Sequence, residues 1–181
     1  RDMKPVLILI FLSYTFSSFS FLSAEQNRLN ILWLVVEDQS KHYGFNGENL
    51  VHTPVLDGLA ANGVRFTNAS VTAPVCSTAR SALITGMFQT SIGAHHHRSG
   101  RGKVKIQKPD HIKLIPELFK DAGYYTCLGS SGQAAGTASQ KHKNRLGKSD
   151  YNFEWNPNVF DSAEWSGRKK GQPFFAKICL S

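Results

Sequence analysis

Apolar residues along this chain come in short blocks, and the spacing within each block separates strands from helices. Leu29 to Val36, LNILWLVV, is a continuous run rich in β-formers. It predicts a strand buried on both faces, as in a parallel sheet. The run stops at Glu37-Asp38. Thr53-Pro54 predicts a helix start, with a hydroxyl N-cap and proline at N1. Val55, Leu56, Leu59 and Ala60 form the apolar face of that helix, and Gly63 ends it. Val64 to Ala69, VRFTNA, predicts a second strand, so the segment as a whole reads as a βαβ unit. Ile112 to Ala122 predicts a helix with Leu114, Ile115, Leu118 and Phe119 inward and Pro116 tolerated in its first turn. Gly123 ends it, and Tyr124-Tyr125-Thr126 begins another strand. Residues 129–145 are Gly/Ser/Ala-rich and then basic, the composition of a flexible insertion. Tyr151 to Trp165 is aromatic and Asn/Asp-rich, hence loop-like, and Phe174 to Leu180, FFAKICL, predicts one more buried strand.

The N-terminus follows a different pattern. Met3-Lys4, the apolar run from Val6 to Leu12 and the Ser/Phe-rich stretch to Ser23-Ala24 predict a secretory signal peptide over residues 1–24. The mature chain would then be secreted or periplasmic, with no stable membrane insertion. Hydrophobic content of 41% and charged content of 19% in 181 residues describe a globular chain long enough for a core. The three cysteines, Cys76, Cys127 and Cys179, are widely spaced without a CxxC, so neither a disulfide framework nor a zinc site is indicated. A net charge of +8 suggests an anionic partner. No helix-turn-helix, RNA-recognition or zinc-finger signature is present, which argues against nucleic acid.

The stretch with most chemistry in it is APVCSTARSALITG, residues 73–86. Thr78 is a candidate N-cap for the helical run Ser81–Ile84, and Gly86 a natural terminator. Cys76 would then sit just before a helix N-terminus, where N–H groups and the helix dipole favour an anion. Arg80, about one turn on, can point its guanidinium at the same spot. That arrangement suits a nucleophile acting on a sulfuryl or phosphoryl group; the plainer reading of Cys76 is a small apolar residue in a turn. Glu37 and Asp38, at the carboxyl end of a strand, repel each other unless a hard divalent cation lies between them. His95-His96-His97 makes a poor metal cage, although one of these histidines can line a pocket. Six basic residues between Arg98 and Lys113 face one acid, Asp110, and could guide a polyanion. Gly147-Lys148-Ser149 is not a P-loop, because His142 stands where the first glycine belongs. No G-x-S-x-G elbow is present. Asn68-Ala69-Ser70 is a glycosylation sequon.

Four stretches, NILWLVVED (30–38), VCSTARSALITG (75–86), AGYYT (122–126) with GKSDYNF (147–153), and QPFFA (172–176), resemble the type I sulfatases of the alkaline phosphatase superfamily. Among these, the secreted bacterial sulfatases similar to N-sulfoglucosamine sulfohydrolase are nearest. The resemblance implies an α/β fold, an alkaline-phosphatase-like sandwich with a central mixed, mostly parallel sheet flanked by helices. It implies that a maturing enzyme, formylglycine-generating or anaerobic, oxidises Cys76 to formylglycine. The hydrated aldehyde would attack sulfur in a sulfated carbohydrate. Calcium, or magnesium, would bind Glu37, Asp38 and modified Cys76. Arg80 would hold the formylglycine hydroxyl and Lys148 the sulfate, with His97 and Asp150 as further substrate contacts. Thr78 stands at the proline/alanine position of the family's cysteine motif, Glu37 replaces the commoner aspartate, and Asp150 replaces a common histidine. Family members run to several hundred residues, so residues 25–181 are expected to be the N-terminal portion of a catalytic domain. That portion would carry half a metal site and be inactive alone. A phosphonate monoester or phosphodiester hydrolase of the same superfamily, and a non-catalytic polyanion-binding domain, are the alternatives.

Overall fold

The computed structural model describes residues 28–130 and 146–180. The segment read as a signal peptide, and residues 131–145 of the Gly/Ser/Ala-rich stretch, lie outside these. Three parallel strands form the sheet: β1 (Ile31–Val36), β2 (Tyr125–Ser130) and β3 (Phe174–Leu180), in the order β1-β3-β2. Among the described residues three α-helices accompany them, α1 (Pro54–Asn62), α2 (Cys76–Thr85) and α3 (Ile115–Asp121). The last strand thus lies in the middle, pairing Ile31 with Phe175 on one side and Tyr125 with Phe174 on the other.

β3 buries both faces. Phe175, Ala176, Lys177 and Cys179 are all sealed from solvent, and Leu128 and Cys127 of β2 lie beside them. Phe119 of α3 stacks on Phe175 with ring centroids 4.5 Å apart, fixing the helix over the sheet. Tyr151, Phe153, Val159 and Phe160, from the loop-like stretch after Gly147, complete the core with Ile84, Ile92, Ile112 and Leu114. β1 differs from expectation. Its burial alternates, with Leu32, Leu34 and Val36 exposed, because it is an edge strand whose second face nothing among the described residues covers.

The βαβ unit does not form. Val64 to Ala69 has no strand pairing, Val64 and Phe66 are each 82% exposed, and the parallel neighbour of β1 is β3. Helix α1 has the expected bounds, yet its apolar face stays open, with Val55 and Leu59 mostly exposed. Thr53 occupies the N-cap position without capping. Its hydroxyl donates to Asp57 Oδ1 (3.0 Å) and accepts the Gly44 N–H (2.9 Å), tying α1 to the preceding turn. Helix α3 starts at Ile115 rather than Ile112. Pro116 lacks the N–H that a later helical position needs, so it fixes the first turn around itself. The Glu117 carboxylate accepts the Leu114 N–H at 2.5 Å, and Leu118, expected inward, is half exposed. Gly129 and Ser130, expected in the flexible insertion, end β2.

Candidate active site

Helix α2 begins three residues earlier than its sequence suggested. Val75 is the N-cap and Cys76 the first helical residue, so Thr78 lies within the first turn and donates its hydroxyl to the Val75 carbonyl (3.0 Å). Ser81 and Thr85 bond back in the same way, to the Ser77 and Ser81 carbonyls at 2.7 Å. With their hydroxyls satisfied along the helix, these residues can be buried. Ser77, Thr78, Arg80 and Ser81 are all closed to solvent. Gly86 ends the helix in the left-handed region, φ 66°.

The first turn of α2 faces the carboxyl ends of β1 and β3. The Glu37 N–H bonds the Leu180 carbonyl at 2.9 Å, which keeps the chain beyond β1 against β3 and brings the Glu37 side chain inward to 5% exposure. Arg80 NH1 binds Glu37 Oε1, and Lys148 Nζ binds Glu37 Oε2. Arg80 Nε donates to Asp150 Oδ1 at 2.7 Å, with NH2 2.5 Å from the same oxygen. Two cations and two carboxylates from three separate parts of the sequence therefore form one network beside Cys76. Burial disfavours the Arg80 charge most strongly, but Asp150 and Glu37, with a hydrogen bond to Cys76, outweigh it and raise the guanidinium above its ordinary value.

Lys148 reaches the network because Gly147 lets two backbones touch. A Cβ on Gly147 would overlap the Gly129 carbonyl at the end of β2, and the Gly147 N–H bonds the Leu128 carbonyl at 2.7 Å. Lys148 is 41% exposed, so it is the member of the network most open to an incoming anion. Asp38 is exposed and adopts φ 50°, a left-handed backbone uncommon for a non-glycine residue, directly after the buried Glu37. His97 is exposed and hydrogen-bonded through Nδ1 to Ser77 Oγ at 2.9 Å. That hydroxyl also accepts the Arg98 N–H at 3.0 Å. Ser77 was not singled out in the sequence, yet it anchors the histidine loop to the residue next to Cys76. Its position between Cys76 and Thr78 was the one available clue.

The structure thus gathers Glu37, Cys76, Arg80, Lys148 and Asp150, keeps His97 one residue away through Ser77, and leaves Asp38 turned to solvent at the rim. The other cysteines are of another kind. Burial pushes the Cys127 thiol up to about 12 and raises that of Cys179, so both are held as thiols. Among the described residues no group of three or more His, Cys, Asp or Glu side chains is arranged to hold a metal ion. Glu37 is a suitable hard donor, but both of its oxygens are taken by Arg80 and Lys148. These residues alone therefore do not make a cation cage.

A three-stranded parallel sheet with a cysteine-headed helix facing its carboxyl ends is an α/β arrangement. The sulfatase family profile matches residues 29–179, so this chain belongs to the sulfatase family. It is 34% identical over 160 residues to an ulvan-active sulfatase of Formosa agariphila, covering 82% of this chain and 24% of that protein. It is 38% identical over 102 residues to N-acetylgalactosamine-6-sulfatase of Homo sapiens, covering 52% of this chain and 20% of that one. The chain thus spans about a quarter of the length of the curated relatives it matches. Among solved structures, BT4656 in complex with its substrate D-glucosamine-2-N,6-O-disulfate aligns with a TM-score of 0.61 at 17% identity, covering 84% of this chain and 34% of that one. The phosphonate monoester hydrolase of Agrobacterium radiobacter aligns with a TM-score of 0.56 at 16% identity, covering 84% and 40%. These two likenesses are of fold.

Proposed function

We propose that the full-length protein hydrolyses sulfate esters of a sulfated carbohydrate, with residue 76 as the nucleophile. The observation that carries this reading is the convergence of Arg80, from the helix headed by Cys76, and Lys148 on Glu37. A sulfate ester carries negative charge before and during attack, and cations with helix N–H groups fixed around it lower the barrier without reorganising. Oxidised to formylglycine by a maturing enzyme, residue 76 would supply the attacking oxygen. Arg80, about one helical turn beyond position 76, would hold the polar group there. Lys148, the exposed cation, meets the sulfate and steadies charge on the leaving oxygen. Asp150 keeps the Arg80 guanidinium aimed, and His97 borders the site where it can touch the sugar.

A divalent cation, calcium or magnesium, is part of the reading through Glu37, Asp38 and residue 76. In the present arrangement it needs oxygen donors beyond the described residues and the release of Glu37 by one of its two cations. Removal of residues 1–24 on export would deliver the mature protein to the periplasm or beyond; among the described residues no helix is long and apolar enough to cross a membrane.

Peptide mass spectrometry across Cys76, on full-length protein from its native host, tests the nucleophile. A loss of about 18 Da, thiol to aldehyde, is expected. An alkylatable thiol on every copy would overturn it. Turnover of 4-nitrophenyl sulfate against the corresponding phosphonate ester tests the reaction, with the sulfate ester expected to react faster.

A further inference from the structure

Beside the network lies a cleft of about 300 Å³ that the chemistry at Cys76 does not use. Its walls are the loop carrying Arg98, Arg101 and Lys105 and the segment carrying Asp150, Tyr151 and Trp155. The cleft is closely built. A Cβ on Gly100 would overlap the Tyr151 carbonyl, so the two walls meet backbone to backbone. The Ser99 hydroxyl donates to the Asn152 carbonyl at 3.3 Å, and the Glu154 N–H bonds the Ile106 carbonyl at 2.8 Å. Arg98 is tied to α2 through Ser77, and buried Asn152 through its N–H to Ser81 Oγ at 2.9 Å. Both walls are therefore referenced to the helix that Cys76 begins.

The charges in this cleft do not cancel. Asp150 is committed to Arg80, and Glu154, held by the neutral amide of Gln107 at 2.5 Å, keeps its charge, which leaves one carboxylate against the three cations Arg98, Arg101 and Lys105. Lys105 Nζ binds the Gly100 carbonyl, which fixes its position without neutralising it. Among the described residues neither the Arg98 nor the Arg101 guanidinium has an ion-pair partner. Trp155 is partly exposed and held edge-on to Tyr151 and Phe160 at 5.1 and 6.1 Å, so its ring is a fixed apolar wall. Guanidinium groups recognise oxyanions by paired N–H donors, and a rigid indole suits the face of a sugar ring.

We propose that this cleft is a second anion subsite, which binds a further sulfate on a carbohydrate whose first sulfate lies at residue 76. The proposal rests on the hydrolase reading for the position of the first sulfate, and it makes a densely sulfated chain the preferred substrate class. Asp150 is the shared wall. Its Oδ1 belongs to the network and the residue also lines the cleft, so the two sulfates would sit on neighbouring parts of one saccharide.

The test is calorimetric titration of full-length protein carrying Cys76→Ala, which binds without turnover, using a heparin-type sulfated hexasaccharide. Arg101→Ala in that background should weaken binding about tenfold, which is about 1.4 kcal/mol. Lys108→Ala, from the same basic stretch but outside the cleft, should change it less than about twofold. Equal losses for both variants would mean a diffuse basic field and overturn the proposal, as would no loss for Arg101→Ala or no binding at all. Wild-type turnover of 4-nitrophenyl sulfate is read separately. If turnover is absent while Arg101→Ala still costs tenfold, the hydrolase reading fails and the subsite stands. If turnover is present and the two variants behave alike, the subsite alone fails.

Discussion

The two ends of this molecule have similar apolar sequence and opposite burial. Around β3, the residues Phe175, Leu128, Ile84 and Phe153 are closed to solvent and each packs on others of the set. Around α1, Leu59, Val64, Phe66 and Val71 are more than half exposed, and an open cavity of about 630 Å³ is lined by Leu59, Val64 and Phe66 and by no residue of the ion network. Hydropathy alone does not separate the two regions. The difference is partners: β3 has a strand on each side and helices and loops over both faces, whereas among the described residues α1 has the short turn at Gly44–Asn46 and little else. Apolar pattern marks a surface that gains by being covered, and topology decides whether anything reaches it.

The largest effect that would sharpen this contrast is at Arg80. Arg80→Met leaves the Asp150 and Glu37 carboxylates buried with one cation between them, which should cost about 3–5 kcal/mol in urea unfolding and, in the full-length protein, abolish the proposed sulfate-ester hydrolysis. A loss below about 1 kcal/mol would mean that water reaches the network freely. Next is Phe175→Ala, expected to cost about 3–4 kcal/mol through the cavity under Phe119 and Trp33. A smaller prediction concerns Lys177, sealed within β3. Its Nζ lies 3.4 Å from the Tyr151 hydroxyl and over the Trp33 and Tyr151 rings. Burial first, then Arg80, lower its pKa to about 8, against the pull of Cys179, Asp150 and Glu37. A lysine depressed when folded releases its proton before the unfolded chain does, so stability rises with pH from about 8 to the ordinary lysine range. Lys177→Met should therefore stabilise the protein by about 1–2 kcal/mol at pH 7 and flatten that rise, as followed by urea unfolding between pH 7 and pH 10. The smallest is Phe66→Ser on the open side, expected to shift stability by less than about 0.5 kcal/mol. A loss above about 2 kcal/mol would show that Phe66 is already covered and erase the contrast.

The sequence makes β3 legible residue for residue, because a seven-residue run flanked by polar positions can be covered on both sides. The bounds of α1 follow from Pro54 and Gly63 for equally local reasons. What it does not show is pairing. Val64–Ala69 has strand composition, but β1 takes its neighbour from the far end of the chain, and that choice is a property of the whole sheet. The start of α2 is hidden by a competing local rule. Thr78 is a better N-cap than Val75, yet its hydroxyl serves the helix from inside. In the site, Arg80 with Cys76 is visible as a spacing. The meeting of Lys148 with Glu37, 111 residues apart, depends on Gly129 and Gly147 touching, for which no local signal exists. Lys177 reads as an ordinary strand cation until the rings that enclose it are in view.

The position of β3 also sets a schedule. Asn30 beside β1 and Phe174 at the start of β3 are hydrogen-bonded at 3.1 Å across 144 residues of chain. At ribosomal speed that interval lasts on the order of 10 s, during which β1 lacks the strand it pairs with among the described residues. Loop closure over such a span delays nucleation, and an apolar strand waiting in the open is a target for aggregation or for a holding chaperone. Among the described residues the strand that pairs with β1 comes last in the chain, so vectorial synthesis and assembly are out of step for this part of the protein. Pulse-labelled nascent chains would show β1 protease-sensitive until Leu180 has left the exit tunnel.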